Sequence, residues 1–182
     1  MDENKLEDLV EKAKQRDPEA FGELYDHFFD RIYRYILYRL GREADAEDLT
    51  EDVFVKVLQA IKRYESRGIP FSAWLFRIAR NSVTDYFRRQ ARKPEVVLKE
   101  EVPEICESET PYKQYAAKMT QKQVRQAMTQ LTIDQQNVII LKFFGGLNNK
   151  EVASFLGKTE ESVKALQHRA LKSLNRILKG KS

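Results

Sequence analysis

The stretch from Asn148 to Arg169, NNKEVASFLGKTEESVKALQHR, constrains the fold more than any other part of the chain. Asn148 is placed to cap a helix whose third residue, Glu151, reaches back to it, and Ala153 is small enough to let a second helix cross close by. Gly157 ends that helix and Thr159 caps the next, in which Val163, Leu166, Ala170 and Leu174 recur at three- and four-residue steps as an inward stripe. The spacing predicts a helix-turn-helix. The outer side of its second helix, with Thr159, Glu161, Ser162, Lys164, Ala165, His168, Arg169 and Lys172, can contact both base edges and phosphates of duplex DNA. The competing reading of this segment alone is two short amphipathic helices joined at a glycine in a plain bundle.

The rest of the chain is read as helical too. Glycines and prolines are few, 7 and 5 of 182 residues, and a 3.6-residue period recurs with no competing strand pattern. Residues 4–16 form a short amphipathic helix, and Asp17 before Pro18 starts a long one. Phe21, Leu24, Tyr25, Phe28, Ile32, Ile36 and Leu40 line its inner side, and Gly41 ends it. A third helix, from about Ala44 to Ile61, is expected to turn Leu49, Val53, Val57, Leu58 and Ile61 inward and its acids outward. After the loop SRGIP, a fourth runs from about Ser72 to Arg89 with Phe71, Trp74, Leu75, Ile78 and Ser82 packed. Residues 93–111, KPEVVLKEEVPEICESETP, hold three prolines and no sustained period, and read as an extended linker. Beyond it a helix near Tyr112 to Gln130 is followed by one that Thr132 and Gln135 open and Gly145-Gly146 ends. The expected fold is all-α: two small helical domains, residues 1–92 and 112–182, joined by an extended acidic linker, with a helix-turn-helix closing the second.

The net charge of +4 becomes informative once it is divided along the sequence. Residues 1–61 carry −7, 62–93 carry +7, 94–110 carry −5, 111–157 carry +4 and 158–182 carry +5. Two basic segments separated by an acidic one suit two contacts with a polyanion, and the acidic front suits a different kind of partner. Within the first basic segment, Arg77, Arg80, Asn81, Thr84 and Arg88 fall at steps of three, one, three and four, forming one polar stripe. Arginine supplies phosphate contacts, Asn can bond a base edge, and Tyr86 and Phe87 lie where a base could stack unless they serve the core.

Four segments in order, DPEAFGELYDHFFDRIYRYILYRLG, DAEDLTEDVFVKV, FSAWLFRIARNSVTDYFRR and LNNKEVASFLGKTEESVKALQHRALKSL, resemble the two domains of the extracytoplasmic-function (ECF) class of bacterial sigma factors. The resemblance covers nearly everything except the first residues and the linker. It implies a protein that joins core RNA polymerase, directs it to promoter DNA and answers to an anti-sigma factor. It further implies that Asp45, Asp48, Thr50 and Glu51 dock on a coiled coil of the largest polymerase subunit. Arg67, in the loop from Glu65 to Pro70, would join Arg77, Arg80, Asn81, Thr84 and Arg88 in opening the minus-ten element, while the outer face after Thr159 reads the minus-thirty-five element. The run Ala165-Leu166-Gln167-His168 lacks the arginine that many members carry there, so no minus-thirty-five sequence transfers.

Other classes fit less well. The only histidines, His27 and His168, form no metal-ligand or Cys/His arrangement, and there is no glycine-rich phosphate loop, so neither a catalytic site nor a metal or other cofactor is expected. The single cysteine, Cys106, excludes an internal disulfide and reads as an incidental linker thiol. The start MDENKLEDLVEK has no signal-peptide core and no apolar run spans a bilayer, so a cytoplasmic protein without membrane insertion is expected. A stand-alone helix-turn-helix regulator remains the alternative, although it would need neither the acidic third helix nor the fourth-helix stripe.

Overall fold

The computed structural model describes residues 1–91, 123, 124 and 126–179. The linker read at 93–111, Cys106 within it and most of the helix expected near Tyr112 to Gln130 lie outside these residues. Among the described residues all regular structure is helical.

The first half contains α1 (Glu3–Lys14), α2 (Pro18–Leu40), α3 (Glu43–Ala60) and α4 (Phe71–Ala91), with a 3-10 turn over Ile61–Arg63. Local chemistry sets most boundaries. The Asp17 carboxylate accepts the Ala20 amide at 3.0 Å with Pro18 opening the first turn of α2, and Gly41, at φ 76°, closes that helix by donating to the Leu37 carbonyl. The buried side of α2 runs through Ala20, Leu24, Phe28, Ile32, Tyr35, Ile36 and Leu37, and α1, α3 and α4 pack around it.

The second half contains α5 (Ile133–Ile139), which widens into a π-helical turn over Ile140–Phe144, then α6 (Asn149–Leu156) and α7 (Glu160–Lys179). Both expected capping boxes are formed: Thr132 with Gln135 at α5, and Asn148 with Glu151 at α6. The π turn shows in the Gly145 amide, which donates to the Ile140 carbonyl five residues back at 2.9 Å.

The two halves share one apolar core running from Leu9 to Leu174. The π turn lies on α2, and α6 lies on α4. Sequence periodicity did not indicate this packing, because an apolar stripe shows which side of a helix is buried and not which element covers it; Phe76, Tyr38 and Phe144 join Arg31 and Gly145 in the contact.

Candidate nucleic-acid interface

The helix-turn-helix is built as its spacing dictates. Gly157 adopts the left-handed conformation at φ 65° and donates to the Ala153 carbonyl, turning the chain between α6 and α7. Val152, Ala153 and Phe155 of α6 meet Val163, Ala170 and Leu174 of α7 in the core, while Leu166 is half-buried. Glu161, Ser162, Lys164, Ala165, His168, Arg169 and Lys172 are all exposed, so the outer face of α7 is open along its length. Thr159 is exposed as well, but its hydroxyl accepts the Ser162 amide at 3.2 Å and serves first as the cap of α7.

The α4 stripe has a different setting. Asn81, Thr84 and Arg88 are exposed, Arg88 lying 3.4 Å from Asp85, and the Thr84 hydroxyl donates to the Arg80 carbonyl at 2.9 Å. Arg67 is exposed beside the fourth helix and pairs with Glu65 at 2.7 Å. Arg77, by contrast, is half-buried and donates to the Ser154 carbonyl of α6. The Arg80 guanidinium lies 5.4 Å from the centre of the Phe155 ring, also on α6. The expected stripe is one surface, and at its N-terminal end Arg77 is partly covered by the second half of the chain while Arg80 stays exposed.

The aromatic residues divide likewise. Trp74 is half-buried in a cluster with Tyr64 and Phe71, at ring separations of 5.0 and 5.5 Å. The Tyr86 hydroxyl donates to Asp45 at 2.9 Å, and burial first, then that bond, raises its pKa above the ordinary tyrosine value. Phe87 is 43% exposed and is therefore the ring available for stacking on a base.

On α3, Asp48 and Glu51 are exposed, as a docking face requires. Thr50 is not: it is fully buried, with its hydroxyl donating to the Ala46 carbonyl at 2.6 Å, and it cannot meet a partner's surface in this arrangement. It lies four residues after Ala46 and three before Val53, on the helix's inner stripe. Asp45 is half-buried between Tyr86 and Arg42, which makes it a structural acid here as much as a contact. Leu58, expected inward, is 53% exposed beside Val55 at 54%, because it follows Val57 by one residue and so lies about 100° off the buried stripe.

The residues that sequence reasoning missed are those joining the halves. Arg31 donates through Nε to the Gly145 carbonyl at 2.8 Å and through Nη2 to the Gly146 carbonyl at 3.1 Å. Ser72 bonds Glu151, and Arg39 bonds Asn137. The Gly145-Gly146 pair, read only as a helix end, was the one available signal. Among the described residues there is no His/Cys/Asp/Glu cluster able to hold a metal ion, and no helix long and apolar enough to cross a membrane.

Comparison with known proteins matches residues 24–93 to the family of sigma-70 region 2 and residues 121–174 to that of sigma-70 region 4. The chain is 37% identical over 177 residues to the ECF RNA polymerase sigma factor BldN of Streptomyces coelicolor, covering 97% of this chain and 67% of that protein. It is 31% identical over 162 residues to the ECF RNA polymerase sigma factor SigX of Bacillus subtilis, covering 87% and 83%. In three dimensions it resembles CnrH, solved in complex with the cytosolic domain of CnrY, with a TM-score of 0.70, 25% identity and coverage of 96% and 97%. The chain thus belongs to the ECF class of RNA polymerase sigma factors.

Proposed function

We infer that residues 1–92 dock on core RNA polymerase and open the minus-ten element, that 93–111 link, and that 112–182 read the minus-thirty-five element. The open outer face of α7 carries this reading furthest. A helix-turn-helix presents its second helix to the major groove, and here a continuous polar face on that helix meets solvent with no competing partner among the described residues.

In this division, Asp48 and Glu51 meet cationic groups on polymerase, with Val55 and Leu58 supplying apolar area next to them. Arg67, Arg77, Arg80, Asn81, Thr84 and Arg88 contact the strand exposed at minus ten, with Phe87 as a stacking platform. Unstacking a base costs a few kcal/mol, and single-strand contacts of this kind offset it without nucleotide hydrolysis. Neither half performs a covalent step. CnrH was solved with the cytosolic domain of a second protein, CnrY, which supports control of this chain by a protein partner, an anti-sigma factor in the sigma-factor reading.

The test is transcription by purified core polymerase with and without the chain, with the transcript ends sequenced. Discrete start sites that appear only with the chain are expected. Tight duplex binding by the chain alone, with no promoter specificity conferred on polymerase, would instead support a stand-alone regulator.

A further inference from the structure

Three arginines from two helices converge on one cleft. It lies where α2, the last turns of α4 and the start of α5 meet, opens to solvent and has a volume of about 600 Å³. Arg39 comes from α2, Arg80 and Arg88 come from α4, and among the described residues no carboxylate lines the cleft. Of the three, only Arg88 pairs with a described acid, Asp85, at 3.4 Å. A concave site with unbalanced positive charge attracts anions.

The floor of the cleft carries unused donors. Tyr35 is fully buried, its ring edge-on to Phe76 at 5.4 Å, and its hydroxyl has no hydrogen-bond partner among the described residues. The Arg39 guanidinium lies one turn further along α2, 5.6 Å from the centre of the Tyr35 ring. Its Nη2 bonds Asn137 of α5, but its buried Nε has no partner among the described residues either. Burial raises the Tyr35 pKa against the opposing charges of Arg39 and Arg80, so the phenol keeps its proton. A buried donor without an acceptor is costly, and both donors here call for the same remedy, an oxygen bearing negative charge.

The rim is apolar where the floor is cationic. Phe87 is 43% exposed and Ile133 76% exposed, contributed by α4 and α5. An open aromatic ring beside a branched aliphatic side chain suits a planar base, and the volume falls in the range of small-ligand sites, roughly 300–1,000 Å³.

We propose that this cleft binds a nucleoside phosphate, with its charged oxygens on Tyr35, Arg39 and Arg80 and its base on Phe87 beside Ile133. The inference goes beyond the sigma-factor reading and does not rest on it. Arg80 and Phe87 also belong to the surface inferred for the minus-ten strand, whereas Tyr35 and Arg39 belong to α2 and have no part in that surface. A nucleotide of a DNA strand offers the same chemistry as a free one, and the experiment separates these two sources.

The test uses the full chain without polymerase, with adenosine 5′-diphosphate as the probe. Calorimetry should show one saturable site, with adenosine and inorganic phosphate each bound at least about tenfold more weakly, since each supplies only part of the contacts. In methyl NMR spectra of wild type, the Ile133 signal should shift on titration. Arg39→Gln should weaken binding about tenfold or more, and Tyr35→Phe, which keeps the ring on Phe76, roughly threefold. Phe87→Ala should weaken the nucleotide but leave inorganic pyrophosphate unaffected, because only the nucleotide has a base to stack. Arg34→Ala removes an equal charge from an exposed position on α2, where the guanidinium bonds the Asp30 carbonyl of its own helix, and should change nothing.

The proposal is overturned if the nucleotide finds no saturable site, if Ile133 does not shift, or if Arg34→Ala weakens binding as much as Arg39→Gln does. The wild-type titration decides even if the variants at buried positions misfold. A single-stranded oligonucleotide titrated in parallel separates the two readings. Strand binding without nucleotide binding would sink the cleft and leave the minus-ten assignment intact, whereas nucleotide binding without strand binding would support the cleft and count against that assignment.

Discussion

The outer face of α7 and the stripe of α4 are both basic, polar and helical in spacing, yet their surroundings differ. On α7 the outward residues from Glu161 to Lys172 are exposed, and Ser162 and Arg169 bond only within the helix and its cap, whereas on α4 Arg77 and Arg80 already have partners on α6. Periodicity identifies the side of a helix that its own domain leaves uncovered. It does not say whether another part of the same chain covers that side. An arginine stripe is consequently a weaker mark of a free nucleic-acid surface than a mixed face such as Lys164, Ala165 and His168, which contains little that a neighbouring helix would bind.

The largest expected effect tests whether either DNA surface can act without docking. Charge reversal at Asp48 and Glu51, both to Lys, should weaken association with core polymerase on the order of a hundredfold while helicity stays normal. Co-purification and circular dichroism check it, and retained association would remove α3 from the docking role.

Next, the two surfaces should fail at different steps. Arg80→Ala with Asn81→Ala should slow promoter opening about tenfold or more, with only partial recovery on a template whose minus-ten region is already melted, since capture of the single strand is weakened too. Lys164→Ala with His168→Ala should instead weaken upstream footprinting, by about 1–3 kcal/mol for each base edge no longer bonded, with the opening rate of bound complexes little changed. If the α7 variant bound normally and failed to open, the contrast drawn between the helices would collapse.

Smaller effects concern the scaffolds beneath these faces. Asn148→Ala breaks the capping box of α6 and should lower stability by about 1 kcal/mol in thermal or urea unfolding. In the first half, burial and then the nearby Glu7 and Glu11 push the Tyr64 hydroxyl up to about 12, while it donates to the Ile69 carbonyl at 2.7 Å. Its folded pKa is above the unfolded value of 10.0, so stability from this group is intact below pH 10 and declines as pH rises toward 12. Tyr64→Phe should flatten that decline, and an unchanged alkaline profile would assign it to other groups.

Much of the architecture was legible because it is written locally. Asp17-Pro18, Gly41, Thr132 with Gln135, Asn148 with Glu151, and Gly157 each act on backbone within a few residues, and each cap or turn formed as its chemistry required. Side-chain direction was less secure near the edge of a stripe, where one residue means about 100°: Thr50 turned in and Leu58 turned out. The pairing of Arg31 with Gly145 and Gly146 was signalled only by the glycine pair itself, since it joins positions more than a hundred residues apart through main-chain carbonyls.

The widened turn at Ile140–Phe144 shows how a local irregularity can serve a distant fit. Deleting one residue there would let the helix regain ordinary winding. It would also rotate everything after it by about 100° and retract it by about 1.5 Å, swinging the paired glycines away from Phe76 and Arg31. A redesign scored on helix regularity alone would select that deletion. The resulting protein would be a better helix and a worse fit, with its two halves no longer in register.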